Sequence, residues 1–253
     1  MDWNDERQVD VFFKAHAGLR RQGPGNAETT QRALERVGAL PKGARVIDLG
    51  CGPGASTVDL AQRLPDARVL GIDLHAPFVE ELTESIRQHG LEARAHGTVG
   101  DMAAPPADAG PFDLMWSEGA AYAIGFERAL SCWRPLLAPG GRIACSEAVW
   151  LSDERPPEVV ANWEEYPEMT DRLGCLERAA RAGLRLVSDF TLPESAWLEH
   201  YYDPMERTLE GLRTRYAGDD VALSVLEECQ FEIDVYRRYS DVYGYQFFVF
   251  ETA

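Results

Sequence analysis

Residues Val46–Thr57 read VIDLGCGPGAST. Glycines alternate at Gly50, Gly52 and Gly54 directly after a short apolar, β-branched run that begins at Ala44. No other stretch constrains the chain as much. Val46–Leu49 reads as a strand, the glycines as a loop, and Ser56 onward as a helix. Glycine lets a backbone take positive φ and approach a ligand closely. The free amides at the helix start suit a carboxylate or a phosphate. A strand, such a loop and a helix in sequence predict a parallel sheet with a ligand at the carboxyl end of its first strand.

The next hundred residues repeat the rhythm. STVDLAQRL (56–64) reads as a helix, ARVLGID (67–73) as a strand and FVEELTESIRQH (78–89) as a helix with Phe78, Leu82 and Ile86 inward. ARAHGTV (93–99), FDLMWS (112–117) and RIACSEAV (142–149) are further strands. A helix with Phe126, Leu130, Trp133 and Leu137 on one face ends before Pro139-Gly140-Gly141. This βαβ alternation predicts an α/β, Rossmann-like, doubly wound sheet with helices on both faces. Later, LRLVSDFTL (184–192) and YGYQFFVFE (243–251) read as two strands separated by helices, a pair able to run antiparallel at the sheet edge. Their intervening stripes, Met205/Leu209/Leu212/Tyr216 and Val225/Cys229/Ile233/Tyr236, are packing faces. Two helices precede the first strand. One domain is expected over 1–253, with a helical lid (1–41), a core (42–150) and cap insertions plus the last two strands (151–253).

Composition limits the partners. Asp and Glu number 42 against 25 Lys and Arg, a net charge of −17. Such a surface repels a phosphate backbone, so nucleic acid is not expected as a partner. The acidity serves solubility or attracts a cationic substrate. The five cysteines form no CxxC pair, which argues against a zinc site and a disulfide framework. No metal is expected. The N-terminus lacks a signal-peptide pattern and no apolar run approaches ~20 residues. The expectation is a cytoplasmic protein without a membrane partner, its oligomeric state open.

Candidate ligand residues stand at the strand ends. Asp73, after the second strand, suits the two hydroxyls of a ribose. Gly100-Asp101-Met102 follows the third strand, with Asp101 placed to accept from an adenine amine and Met102 to pack on the ring. Ser117 to Tyr122, SEGAAY, follows the fourth. The glycine loop with Asp73 fits either a nicotinamide dinucleotide or S-adenosylmethionine. Asp48 and Asp101 favour the second, and no half-site for nicotinamide is visible.

Taken together, VIDLGCGPGAST, VLGIDLH, VGDM, FDLMWSEGA and LLAPGGRIACSE resemble the ordered motifs of class I S-adenosylmethionine-dependent methyltransferases. GPGNAETTQRAL and DERPPEVVANWEEYPEM resemble the bacterial type 11 domain group within that class, whose substrates are largely unassigned. The resemblance implies a seven-stranded sheet with a reversed last strand. It also implies that Gly50, Cys51, Gly52, Gly54 and Ser56 line the methionine part, with Asp48 nearby. Asp73 would hold the ribose, Leu74 and Met102 would flank the adenine beside Gly100, and Asp101 would meet its amine. Ser117 and Glu118 would lie near the transferable methyl.

The acceptor is expected to be a small molecule, an amine among the candidates. A base is needed only if the acceptor must lose a proton. Glu118, Tyr122 and Glu147 are the catalytic candidates at strand ends. Trp150, Tyr166, His200 and Tyr201, in aromatic insertions among carboxylates, are the substrate-binding candidates. The alternatives are a non-catalytic S-adenosylmethionine-binding module and an NAD-dependent oxidoreductase. The segment RRQGPGN reads as a lid that excludes water, with Gln22–Gly25 as its hinge.

Overall fold

The structure is a computed structural model that describes residues 1–106 and 110–253. Its centre is one sheet. The strands are β1 (Arg45–Leu49), β2 (Arg68–Asp73), β3 (Ala95–Val99), β4 (Phe112–Glu118), β5 (Leu137–Trp150), β6 (Thr170–Asp171), β7 (Leu184–Thr191) and β8 (Tyr243–Thr252). They lie in the order β3-β2-β1-β4-β5-β8-β7, and two-residue β6 pairs with the end of β5. β3, β2, β1, β4 and β5 are mutually parallel. β8 runs antiparallel between β5 and β7. The expected late strand pair is therefore present, with the reversed strand inside the sheet rather than at its margin.

Side chains alternate along each strand, so the sheet builds two cores. On one face, Val46, Trp116, Ala148 and Phe247 meet α1 (Glu6–Ala15), α2 (Ala27–Val37), α3 (Ala55–Arg63) and α4 (Ala76–Gln88). α9 (Asp203–Arg215) and α10 (Asp220–Tyr239) join that same core. On the other face, Ile47, Met115, Cys145 and Phe248 meet α5 (Phe126–Trp133) and α7 (Arg172–Arg181). Short helices α6 (Pro157–Asn162) and α8 (Glu194–Trp197) follow β5 and β7. α5 stops earlier than its apolar stripe. Pro135 lacks an amide hydrogen, the chain tightens into a 3₁₀ turn over Arg134–Leu136, and β5 begins at Leu137.

The glycine loop has a packing role beyond any ligand. Gly54 caps α3 at φ +94, and a Cβ there would lie 2.9 Å from Cβ and Cγ of Leu82, a fully buried residue of α4. Gly54→Ala should therefore cost about 2–3 kcal/mol, from left-handed strain plus overpacking. Urea unfolding checks this, and a loss below about 0.5 kcal/mol would contradict the overlap.

Candidate active site

The carboxyl ends of β1, β2, β3 and β4 open into one cavity of about 250 Å³. Its floor is the glycine loop. Gly50 has φ +71, and a Cβ there would sit 2.5 Å from that of Ala120 and 3.5 Å from the Met102 sulfur. Only a residue without a side chain leaves this part of the cavity open. Cys51, Gly52 and Ser56 also face the cavity.

Asp73 stands on the wall with both carboxylate oxygens held. The amide of Gly52 donates to Oδ2 at 2.9 Å, and that of His75 to Oδ1 at 2.8 Å. Each oxygen keeps a second lone pair for a ligand hydroxyl. Leu74 and Met102 form an apolar slot beside it. Leu74 is 68% exposed, so covering it with a planar ring removes apolar surface from water. The indole Nε1 of Trp133 donates to the Met102 carbonyl at 2.7 Å and fixes that side of the slot. Gly100 completes it.

Several candidates lie elsewhere. Asp48 is fully buried beneath the loop, where Ser56 and Thr57 hydroxyls donate to Oδ2 at 2.9 and 2.6 Å. It braces the start of α3 rather than facing a ligand, and burial pushes its carboxyl up to about 7. Gly54 faces α4. Asp101 turns its Oδ1 to its own neighbour Ala103, accepting from that amide at 2.7 Å, and is off the cavity wall. Ser117 is buried and donates to the Leu49 carbonyl at 2.9 Å.

Of the catalytic candidates, Glu118 and Tyr122 reach the cavity. Glu118 is fully engaged. Its Oε1 accepts from Trp116 Nε1 at 2.9 Å and from Thr30 Oγ1 at 3.0 Å, and its Oε2 from Arg21 at 2.7 Å. Tyr122 lies in a 3₁₀ turn after β4 and is 42% exposed. Its ring is 5.7 Å from that of Tyr166. Glu147 is 1% exposed, off the wall, and its Oε2 has no hydrogen-bond partner among the described residues. Burial pushes its carboxyl up to about 8, with the Tyr166 hydroxyl and the Ala148 amide pulling the other way.

The aromatic candidates separate. Tyr166 is buried beside Tyr122. Trp150 donates to the Met169 carbonyl at 3.1 Å and lies off the cavity wall. Tyr201 is buried against His16, its hydroxyl 3.2 Å from Nε2. His16 Nδ1 lies 2.8 Å from the Phe12 carbonyl, which fits a donor there and an accepting Nε2. His200 lines a separate cavity together with Leu19, Asn26 and Asp59.

The structure also adds residues to the wall. Arg20, Gln22 and Pro24 come from the segment between α1 and α2. Phe78, read as an inward residue of its helix, faces the cavity instead; the buried face of α4 is Val79, Leu82 and Ile86. Phe78 packs on His75, which stacks on Phe13 of α1 at 4.4 Å. The apolar and aromatic residues Leu74, His75 and Phe78, clustered just after Asp73 at the end of β2, were the available signal.

A methyltransferase-domain profile matches residues 46–141. The trans-aconitate 2-methyltransferase of Variovorax paradoxus is 34% identical over 216 residues, spanning 81% of this chain and 74% of that one. The chain belongs to the class I S-adenosylmethionine-dependent methyltransferase family. More particularly, it is similar to relatives named for trans-aconitate: that of Azoarcus sp. is 31% identical over 207 residues, spanning 75% of this chain and 68% of that one. Two solved structures share its fold. YjhP of E. coli has a TM-score of 0.83 at 21% identity, covering 96% of this chain and 99% of that one. A methyltransferase of Geobacter sulfurreducens in complex with S-adenosylhomocysteine has a TM-score of 0.81 at 20% identity, covering 96% and 98%. The chain is thus an S-adenosylmethionine-dependent methyltransferase. The open glycine floor, the carboxylate of Asp73 and the apolar slot fit that cofactor.

Proposed function

We propose that this enzyme methylates a small-molecule carboxylate. The carrying observation is the state of the titratable groups on the cavity wall. Glu118 is engaged by Arg21, Thr30 and Trp116, and the lone pairs that Asp73 keeps beside its two backbone amides would go to the ribose hydroxyls. Burial pushes the Cys51 thiol far up, so it stays protonated. Tyr122 is a phenol, protonated near neutrality. With no free base on the wall among the described residues, the favoured acceptor brings an ionised nucleophile. The names of the trans-aconitate relatives support a carboxylate. Arg20, exposed on the wall and without an ion pair among the described residues, would face its charge.

The residues then divide the work. Asp73 would hold the ribose hydroxyls, Leu74, Gly100 and Met102 the adenine, and Gly50, Gly52 and Ser56 the methionine part. When bound, the cofactor supplies a methyl group on a positively charged sulfur. The residues align this group with the acceptor oxygen, and holding two reactants in line is worth roughly 7–11 kcal/mol. Gln22 and Pro24 would exclude water from above. The chain would act as one unit, with 1–41 as lid, 42–150 as core and 151–253 as cap. The net charge of −17, with Arg21, Arg237 and Arg238 of the two adjacent basic pairs tied up in ion pairs, disfavours nucleic acid. No helix among the described residues is long and apolar enough to cross a membrane. Five free thiols support a reducing, cytoplasmic setting.

A second reading, an amine acceptor, draws on the Tyr122–Tyr166 pair and the buried Glu147 behind it. Release of S-adenosylhomocysteine, measured across panels of small carboxylates and amines, separates the two. Turnover is expected with carboxylates such as trans-aconitate. Turnover confined to amines would replace the acceptor class. Binding of S-adenosylhomocysteine without turnover on either panel would point to a non-catalytic module. Calorimetric binding of NAD in its place would overturn the cofactor.

A further inference from the structure

We infer that Arg21 is a positioning residue that latches the segment Arg20–Gly23 over the cofactor cavity and thereby sets how fast the cofactor product leaves. Nothing in the family assignment specifies this; it rests on the cavity being the S-adenosylmethionine site. The segment has open space on both sides. In front is the cofactor cavity of about 250 Å³. Behind is a second cavity of about 260 Å³, lined by Leu19, Arg20, Asn26, Asp59 and His200. Packing alone does not hold such a strip of chain, so its polar ties decide its position.

Those ties are uneven. At the far end, Pro24 and Gly25 are buried, and the Gly25 amide donates to the Ala196 carbonyl at 3.2 Å. Gln22 Nε2 donates to the His16 carbonyl at 3.3 Å. Both are neutral bonds to the lid or cap. Among the described residues, Arg21 alone in the segment makes polar ties to the sheet side of the cavity. Its Nη1 donates to Glu118 Oε2 at 2.7 Å, at the end of β4. Its Nη2 donates to Asp59 Oδ2 of α3 at 2.8 Å and to Thr30 Oγ1 of α2 at 3.0 Å. All three charged side chains are at most 10% exposed. A rigid, planar fork suits two carboxylates on different elements; a lysine offers one point charge. Without Arg21, the buried Asp59 and Glu118 carboxylates lose their counter-charge, and the segment gains freedom toward the rear cavity.

Hydrogen exchange over residues 19–25 in ligand-free protein, with stopped-flow release of S-adenosylhomocysteine, tests this. Arg21→Met should speed exchange across 19–25, but not in the β1–β4 core, and speed release about ten-fold or more. Arg21→Lys should recover part of both. Asp59→Asn, which lies off the cofactor cavity, should give a smaller effect of the same sign, about three-fold in release. Should Arg21→Met not fold, Asp59→Asn carries the test. Wild-type exchange and release in folded variants would overturn the latch. Wild-type protein that fails to bind S-adenosylhomocysteine would overturn the cofactor reading instead, while the exchange measurement would still decide the latch.

Discussion

Asp73→Ala is expected to weaken S-adenosylhomocysteine binding about 100-fold or more while leaving the sheet intact. Two effects combine. The carboxylate offers one lone pair per oxygen to a ribose hydroxyl, and hydrogen bonds to a charged group are worth about 1.5–3 kcal/mol each. The same oxygens hold the Gly52 and His75 amides, so alanine also loosens the loop that forms the cavity floor. Binding is read by calorimetry and fold by circular dichroism. Unchanged affinity would remove Asp73 from the site. Binding lost together with the near-native spectrum would show only that Asp73 is structural.

Glu147→Gln should change the pH dependence of stability by about 3 kcal/mol between pH 5.5 and pH 8. Burial raises the Glu147 carboxyl from its ordinary 4.5 to about 8, so the folded state keeps a proton that the unfolded chain releases. A raised folded-state value gives stability that is full below pH 4.5 and is lost as pH rises through 8. Glutamine cannot ionise and should not show this loss. Asp48, raised to about 7, contributes a slope of the same sign in both proteins and cancels in the comparison. Urea unfolding at several pH values reads the difference, which should grow by about 1.4 kcal/mol per pH unit in favour of glutamine. Parallel curves would mean that Glu147 ionises normally, and would remove the buried-acid feature from the amine reading.

The cofactor half of the molecule was legible because its chemistry is local. A strand, a glycine loop and a helix lie within one short segment, and Asp73 and Met102 follow their strands directly. The acceptor half depends on contacts distant in sequence. Arg21 meets Glu118 across 97 positions, and His16 meets Tyr201 across 185. No periodicity announces such pairs, so Glu118 read as a base and Tyr201 as a ligand contact. Asp48 shows the same limit at short range. Its position beside the glycines was visible, but not that Ser56 and Thr57 would turn it inward. α7 was missed for another reason. Its inner face is small, Cys175 and Ala179, and gives little apolar contrast; the signal was its cap, Asp171 accepting from the Gly174 amide at 2.7 Å.

The placement of β8 has a consequence for how the chain is made. Tyr243–Thr252 pairs with β5 on one side and with β7 on the other. A ribosome that has released everything up to Asp241 therefore holds a nascent chain with two unjoined sheet margins, one of them the Arg142–Trp150 edge of β5. The aromatic run that joins them, YGYQFFVFE, is itself among the most apolar segments of the protein. Until those residues emerge, the open edge is a pairing template for any passing strand, so shielding by chaperones matters most just before the polypeptide can close on itself.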